Sequence, residues 1–317
     1  MKILIAPIAG VTDYPFRKIL GEFLPDRIFT EMVSANAIVM GNVKTCEELL
    51  NLDDTPSVQI FGSDEKIMLD AAQYIESRGV KHLDINMGCP MKKIIQNGYG
   101  SALLSDIKQA EKIVSTLRSG TKMDLSIKIR IGYKEHKEPL SFVQMAQDYN
   151  LSFVTVHGRT REQLYSGIAD WEIIKNIKQQ VDIPIIGNGD IFMPEHAILK
   201  SEMSGVDGIM LARGIFGNPW LISQIREFEE TGKFTDVLKT ERIDMAKRHV
   251  ELISEYKGDM KALLEGRKHI CWYLKGISGA TTVKQAVNVA RSLEEVYDLL
   301  NSFKEELCNG YATHETI

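Results

Sequence analysis

Residues 57–86 read SVQIFGSDEKIMLDAAQYIESRGVKHLDIN and contain one complete strand–helix–strand unit. Ser57–Phe61 and His82–Asn86 are short apolar runs, which a parallel sheet buried on both faces requires. Between them, Asp64–Arg78 carries apolar residues at helical spacing, and Gly79 follows directly, as is typical just past a helix end. The segment therefore predicts two parallel β-strands joined by an α-helix.

Apolar runs of this kind recur along the first two thirds of the chain. The eight runs are Ile3–Ala6, Ile28–Glu31, Ser57–Phe61, His82–Asn86, Leu125–Arg130, Phe153–His157, Ile183–Gly187 and Gly208–Leu211. Eight evenly spaced strand–helix units favour an α/β fold that closes into a (β/α)₈ TIM barrel over an open, doubly wound sheet. From about residue 240 only helical periodicity remains. We therefore predict a barrel domain over residues 1–235, followed by a small all-helical C-terminal domain over residues 236–317.

The composition indicates a globular protein without a membrane segment. The chain has 317 residues, of which 44% are hydrophobic and 26% charged, and it has no apolar run of 18 residues. Ile3–Ala6 is too short for a signal peptide, so we expect a cytoplasmic protein. None of the four cysteines forms a C-x-x-C pair, which argues against a zinc site or a thioredoxin-like motif, and we expect no metal site. We expect a monomer.

Charge is distributed unevenly along the sequence. The net charge is −5, which argues mildly against a dedicated nucleic-acid-binding protein. Residues 257–291, however, contain seven basic and two acidic side chains, so their local balance is 7 − 2 = +5. The distribution of charge matters more than its total for binding a polyanion.

The ends of the predicted strands and the loops directly after them hold a mostly polar set of residues, at the barrel end that carries active sites in this fold. In chain order they are Pro7, Ile8, Ala9, Gln59, Asn86, Lys128, Arg130, His157, Arg159, Asn188, Gly189, Asp190, Ala212 and Arg213. Backbone N–H groups at glycines after strands 7 and 8 can approach a phosphate closely, and Arg213 adds a fork of donors. Gln59 suits the amide edge of a flavin, and Lys128 can stabilise a reduced flavin anion. The pattern favours flavin mononucleotide (FMN), although each residue taken alone is also compatible with a solvated strand end.

Cys89 lies in a Gly-Cys-Pro turn just after strand 4. Most lone cysteines are small buried hydrophobic residues, and Cys46, Cys271 and Cys308 fit that interpretation. A thiol at a barrel mouth is mostly protonated at neutral pH and can act as a general acid. The glycine-containing loop that follows includes Lys92 and can close over a substrate.

The helical domain contains a basic and aromatic segment, Arg267-Lys268-His269 followed by Trp272 and Lys275. On a helix, Lys268, Trp272 and Lys275 fall near one face. Such a face can contact RNA phosphates and stack on bases. An ordinary amphipathic helix is an equally compatible interpretation of this segment.

Together these residues resemble the tRNA-dihydrouridine synthase family, particularly its bacterial B-type branch. The matching segments are Ala6–Asp13, Val58–Gly62, Asp84–Pro90, Lys128–Arg130, Val156–Thr160, Gly187–Ile191, Ala212–Gly214 and Arg267–His269. The resemblance covers nearly the whole chain, and the Asn-Met-Gly-Cys-Pro string is its most specific part. One departure is Ile8, where the family usually has methionine.

The resemblance implies reduction of uridines in tRNA to 5,6-dihydrouridine, with NADPH or NADH as the reductant. Reduced flavin would give a hydride to uracil carbon 6, and Cys89 would protonate carbon 5. It implies these FMN-binding residues: Pro7, Ile8, Ala9, Gln59, Lys128, His157, Asn188, Gly189, Asp190, Ala212 and Arg213. We predict these substrate-binding residues: Asn86, Lys92, Arg130, Arg159, Arg267, Lys268 and His269.

Two alternatives remain open from the residues alone. An FMN barrel oxidoreductase acting on a free small molecule would not need the basic helical segment. A non-catalytic RNA-binding protein would not need Cys89. The sequence does not predict which uridine is modified, whether rRNA is also a substrate, or which nicotinamide nucleotide is preferred.

Overall fold

The computed structural model describes residues 1–54, 56–134 and 139–312, and it confirms the predicted barrel. The eight strands are β1 Lys2–Ile5, β2 Arg27–Ser34, β3 Ser57–Phe61, β4 His82–Met87, β5 Asp124–Arg130, β6 Phe153–His157, β7 Ile185–Asn188 and β8 Gly208–Leu211. All are parallel and pair in sequence order, and β8 closes the barrel on β1 through pairs such as Ile3 with Ile209.

The first unit of the fold also contains the helices that cover the barrel. They are α1 Tyr14–Gly21, α2 Ala35–Val39, α3 Glu65–Ser77, α4 Lys92–Ile95, α5 Ile107–Gly120, α6 Leu140–Asp148, α7 Trp171–Lys178 and α8 Pro194–Ser204. A π-helix at Lys44–Leu49 and a 3₁₀ helix at Gly100–Ser105 add to them. None of the helices in the described part of the chain is long and apolar enough to cross a membrane.

Local sequence explains these elements. Every residue of β8 is buried, which matches its apolar run, and β4 is fully buried as well although polar His82, Asp84 and Asn86 alternate with its apolar residues. Helix α3 begins at Asp64, whose carboxylate accepts the backbone N–H groups of Lys66 and Ile67 and so satisfies donors that the helix leaves unpaired. Its buried residues Met68, Ala71, Ala72 and Ile75 form one apolar face against the sheet.

The strand register brings the polar strand ends to one rim. Asn86 on β4 pairs with Lys128 on β5, and Arg130 pairs with His157 on β6. His157 in turn pairs with Asn188 on β7. Because all strands are parallel, these carboxyl ends meet at the same mouth of the barrel.

The remaining helices form a second compact unit, residues 214–317. They are α9 Leu221–Thr231, α10 Lys239–Lys257, α11 Asp259–Tyr273, α12 Ala280–Val289 and α13 Leu293–Ala312. Their buried core includes Ile253, Tyr273 and Leu300. Helices α10 to α13 lie in the region where the sequence shows only helical periodicity, as predicted.

The division between the units falls at Arg213, earlier than the boundary at residue 235 that the sequence predicts. The reason is packing within the second unit. Phe216 stacks on Trp272 with ring centroids 4.3 Å apart, and Trp220 lies edge-on to Tyr273 at 6.3 Å. The segment before α9 therefore packs with the helices that follow it, which the hydrophobic pattern alone does not reveal.

Candidate active site

A chain of buried hydrogen bonds runs across three strands beneath the barrel mouth. Gln59 Nε2 donates to Asp84 Oδ2 at 2.6 Å, and Asn86 Nδ2 donates to Gln59 Oε1 at 2.7 Å. Ser126 Oγ donates to the other oxygen of Asp84. Burial raises the pKa of Asp84 to about 6, while the bonds from Ser126 and Gln59 favour its ionised form. A carboxylate can only accept hydrogen bonds, so Gln59 must turn its Nε2 toward Asp84 and its Oε1 toward Asn86. Asp84 thereby fixes the orientation of both side-chain amides.

This chain ends on the backbone beside Cys89. The Oδ1 atom of Asn86 accepts the N–H groups of Gly88 at 3.2 Å and Cys89 at 2.9 Å. The carbonyl of Cys89 accepts the N–H of Ser101 at 3.1 Å. The two peptide groups that flank Cys89 are thus both hydrogen-bonded, while Cys89 itself stays partly exposed. Burial raises the pKa of its thiol, so the group is protonated at neutral pH.

Lys128 on β5 supplies a positive charge beside this cysteine loop. Its Nζ donates to Asn188 Oδ1 at 3.0 Å, which is its one hydrogen bond to the described residues. Asn188 is oriented by the bond from its Nδ2 to the carbonyl of Met210 at 2.7 Å. Burial among protein atoms lowers the pKa of Lys128 to about 8, which still leaves it mostly charged at neutral pH. The ammonium retains donors for a bound acceptor.

Beyond β6, the side chains of His157, Arg159, Asp190 and Arg213 form a second network. Arg159 Nη2 binds both oxygens of Asp190 at 2.6 and 2.9 Å, and Arg213 Nη2 donates to Asp190 Oδ1 at 3.1 Å. Arg159 Nη1 lies 3.4 Å from His157 Nε2. Burial, with the nearby cations, lowers the pKa of His157 well below its usual range. His157 is therefore neutral, and its Nε2 acts as an acceptor.

The two predicted substrate-binding arginines of the barrel lie below the surface. Arg130 is 3% exposed and Arg159 is 2% exposed. Besides Asp190, Arg159 donates to the carbonyls of Ser166 and Gly167 at 3.0 and 2.7 Å. Arg130 likewise binds backbone carbonyls, through its Nε and Nη1 atoms. All three nitrogens of the Arg159 guanidinium contact loop or site residues, two of the three nitrogens of Arg130 bind loop carbonyls, and Arg213 keeps 37% of its side chain exposed.

Other predicted residues lie around the open end of the barrel. After β1, Pro7 and Ile8 are half-buried and Ala9 is exposed, while Ala212 is half-buried after β8. Gly189 is buried, and its carbonyl accepts the indole N–H of Trp171 at 3.1 Å. Lys92 begins the short helix α4 and is exposed to solvent. The strand-end positions thus surround a mouth with accessible backbone, and Lys92 adds an exposed positive charge in the loop after β4.

The basic segment of the helical unit is only partly at the surface. His269 is 1% exposed and lies edge-on to Trp272, and Arg267 Nη2 donates to the carbonyl of Ala290 at 2.7 Å. Lys268 is half-buried on α11, and Lys275 is exposed beyond the helix end at Tyr273. The prediction that one helical face carries Lys268, Trp272 and Lys275 is wrong. Helix α11 ends at Tyr273, before Lys275, and the Trp272 ring stacks on Phe216.

Sequence reasoning missed three residues that hold the site together. Asp84 could have been recognised as an ionisable residue between Leu83 and Ile85 in a strand predicted to be buried on both faces. Gly100 and Ser101 contact Cys89 from eleven and twelve positions along the chain. Nothing in the local pattern marks that contact, because it depends on how the loop folds back.

The sequence of this chain is similar to those of known proteins over nearly its whole length. A family model described as "Dihydrouridine synthase (Dus)" matches residues 4–308. A "Probable tRNA-dihydrouridine synthase 1" from Synechocystis sp. is 37% identical over 95% of this chain and 85% of its own length. A "tRNA-dihydrouridine synthase B" from Shewanella oneidensis is 34% identical over 96% of both chains.

Solved structures share the barrel fold at low identity. Histamine dehydrogenase from Rhizobium sp. 4-9 gives a TM-score of 0.54 at 13% identity, covering 79% of this chain and 49% of that chain. A 2-naphthoyl-CoA reductase complex gives 0.56 at 10% identity, covering 71% and 50%. The chain spans about half the length of these structures, so they support the fold alone. The family match and the two relatives go further: this chain belongs to the dihydrouridine synthase family.

Proposed function

We propose that this protein reduces specific uridines in tRNA to 5,6-dihydrouridine, using bound FMN and a nicotinamide nucleotide, NADPH or NADH, as the source of electrons. The single observation that carries the proposal is the position of Cys89. A protonated, partly exposed thiol is held rigidly at the barrel mouth, one strand away from the Lys128 ammonium. Family membership supports the same reaction.

The residues at the mouth fit FMN. Lys128 has ammonium donors left over after its bond to Asn188, so it suits a ring nitrogen that gains negative charge on reduction. Arg213 and the backbone at Gly189 and Asp190 suit the phosphate, in the position that barrels commonly use for it. The remaining ring contacts would come from Pro7, Ile8, Ala9, Gln59, His157 and Ala212. When bound and reduced, FMN supplies the two electrons that the uracil double bond takes up.

The chain's own residues then have defined roles. Lys128 balances negative charge, and Asn86, whose amide orientation is fixed by Gln59, aligns the base edge. The thiol of Cys89 donates a proton to uracil carbon 5, and the resulting thiolate is stabilised by the positive charges of Lys128 and Arg130. Correct positioning of the base, the cofactor and the acid can lower the barrier of such a reaction by about 7–11 kcal/mol.

The helical unit, together with Lys92 on the barrel, is the part that we assign to tRNA binding. Lys268, Lys275, Lys284 and Arg291 retain exposure on α11, α12 and the segments next to them. Uridine in a folded tRNA must leave its stack, which costs a few kcal/mol, and phosphate contacts can offset that cost. A reductase for a free small molecule would have no use for this surface, so we do not favour that alternative. We take the enzyme to act as a monomer.

The decisive experiment replaces Cys89 with alanine and measures both cofactor and product. Cys89→Ala should keep its FMN absorbance, because the thiol is not needed to bind the cofactor. It should lose dihydrouridine formation by roughly 10²–10⁴-fold, the usual contribution of a general acid. Wild-type amounts of dihydrouridine in tRNA treated with the variant would overturn the proposed role, and absence of product with the wild-type protein would overturn the proposed reaction.

A further inference from the structure

Arg130 joins two loops at the barrel mouth. Its Nε donates to the carbonyl of Gly88 at 2.9 Å, in what we call the Cys89 loop (residues 88–91). Its Nη1 donates to the carbonyls of Thr160 and Leu164, both at 2.9 Å, in the β6 loop (residues 158–170). The same guanidinium lies 5.7 Å from the ring centre of Tyr165. One buried side chain therefore fixes the peptide next to Cys89 and the turn that presents Tyr165.

Two of the three guanidinium nitrogens of Arg130 are used within the protein, so the residue has a structural role that does not depend on a bound substrate. Arg130 is 3% exposed, and its three hydrogen bonds all go to backbone carbonyls of its own chain. Burial lowers its pKa to about 10, so it stays charged at neutral pH. A charged group that binds three carbonyls stabilises loop geometry strongly, because such bonds are about twice as strong as neutral ones.

The β6 loop carries apolar side chains into solvent. Leu164 is 47% exposed, Tyr165 51% and Ile168 81%. Arg213, which binds Asp190 at the other side of the mouth, lies 5.0 Å from the Tyr165 ring centre. Exposed aromatic rings beside cations suit the flat bases and phosphates of RNA. A substrate resting on Tyr165 would thus rest on the loop that Arg130 ties to Cys89.

We propose that Arg130 is a positioning residue, which holds the Cys89 loop and the β6 loop in one arrangement and so sets the thiol against a substrate supported by Tyr165. The inference rests on the proposed function of Cys89 as the proton donor. It replaces direct substrate binding, which the sequence predicts for Arg130, with an indirect role in catalysis. The two roles make different predictions for kinetics and for the reactivity of the thiol.

The first test measures the thiol itself in the full-length protein. Iodoacetamide alkylation of Cys89 is followed by mass spectrometry of its peptide across a pH series, in the wild type, Arg130→Met and Arg130→Lys. The high-pH limiting rate should rise several-fold in both variants, because the Gly88 carbonyl loses its guanidinium donor. The thiol pKa should rise in Arg130→Met, where a positive charge is lost, and less in Arg130→Lys.

The second test separates kcat from KM with tRNA as the substrate. Arg130→Met should lower kcat by roughly 10²-fold, since a misplacement of about 1 Å at a reacting group has that effect. The KM for tRNA should stay near the wild-type value. The matched control is Arg161→Met: Arg161 lies in the same loop, but its guanidinium sits over the Tyr133 ring, 5.4 Å from its centre. The control should leave the alkylation rate and kcat unchanged.

The outcomes are separable. A raised KM with unchanged kcat and unchanged Cys89 alkylation in Arg130→Met would mean that Arg130 binds substrate, and the inference would be overturned. An equal change in Arg161→Met would overturn it too, because the effect would then be general loosening of the loop. If Arg130→Met does not fold, Arg130→Lys decides by the same two readouts. The alkylation test does not depend on tRNA, so it remains decisive even if the proposed reaction fails.

Discussion

Gly100→Ala should damage catalysis more than stability, and Gly98→Ala provides a matched control. Both glycines have left-handed backbones, with φ of +60° at Gly100 and +76° at Gly98. A Cβ on Gly100 would lie 2.9 Å from the carbonyl oxygen of Cys89 and 3.0 Å from Cys89 Cβ. A Cβ on Gly98 would meet nothing closer than Ser63 Oγ at 3.7 Å. Only the first substitution presses on the catalytic loop.

The expected magnitudes follow from that geometry. Each variant places alanine in a left-handed conformation, which costs about 1–2 kcal/mol. That cost lowers Tm by about 2–4 °C per kcal/mol for a domain of this size. Gly100→Ala must also move Cys89 by a few tenths of an ångström to relieve its contacts. Because a misplacement of about 1 Å can cost 10²-fold in rate, we expect kcat to fall about tenfold.

The assay compares the two variants with the wild type by thermal denaturation, FMN content and dihydrouridine formation in tRNA. Both should lose thermal stability and keep FMN, with a larger loss in Gly100→Ala because its Cβ contacts add to the backbone cost, while only Gly100→Ala loses kcat. An unchanged kcat in Gly100→Ala would refute the reasoning, because it would show that the contact with Cys89 does not govern the position of the thiol. A loss of kcat in Gly98→Ala as large as that in Gly100→Ala would refute it as well, because a Cβ on Gly98 makes no contact with Cys89.

Three further predictions concern charge. Lys128→Met should lower the reduction potential of bound FMN by about 30 mV or more, which equals about 1.4 kcal/mol for two electrons, in a spectroscopic titration; an unchanged potential would exclude charge stabilisation by Lys128. Lys268→Ala should weaken tRNA binding and reduce the slope of log K against log salt by about 1, and an unaltered slope would remove Lys268 from the interface. Burial lowers the pKa of His82 and of His269, and lowers that of His249 to about 3. Below about pH 6.5 these histidines take up protons in the unfolded chain but not in the folded protein. The free energy of unfolding should therefore be highest above that pH and fall below it by about 1.4 kcal/mol per pH unit per histidine. Urea denaturation at about pH 5.5 and 7 measures this difference.

The barrel and its polar rim could be predicted because both depend on local patterns. A strand buried on two faces is largely apolar, and β8 (Gly208–Leu211) displays that pattern in its sequence and in its complete burial. Parallel pairing then fixes which ends meet, so Asn86, Lys128, His157 and Asn188 become neighbours without further information. Residue type and strand position were sufficient to predict that these side chains lie together.

The roles of the arginines and the unit boundary could not be predicted in the same way. An arginine at a strand end has the same sequence signature whether its guanidinium faces solvent or binds loop carbonyls. For Arg130 and Arg159 that choice depends on where the β6 loop turns back, and the bonds to Leu164 and Ser166 are made only in the folded loop. Phe216 likewise gives no local sign that it stacks on Trp272 of the helical unit, 56 positions later.

Cys89 illustrates why a general acid needs such a support. Burial keeps its thiol protonated before the reaction, but the same environment must also stabilise the thiolate that proton transfer leaves behind. Lys128 and Arg130 serve the second requirement through their charge, because both favour the thiolate. Arg130 and Asn86 serve the geometric requirement through bonds to the flanking peptides. Lysine can supply the charge of Arg130 but not its three hydrogen bonds to loop carbonyls. Arg130→Lys should therefore keep the pKa of the Cys89 thiol close to its wild-type value but lower kcat.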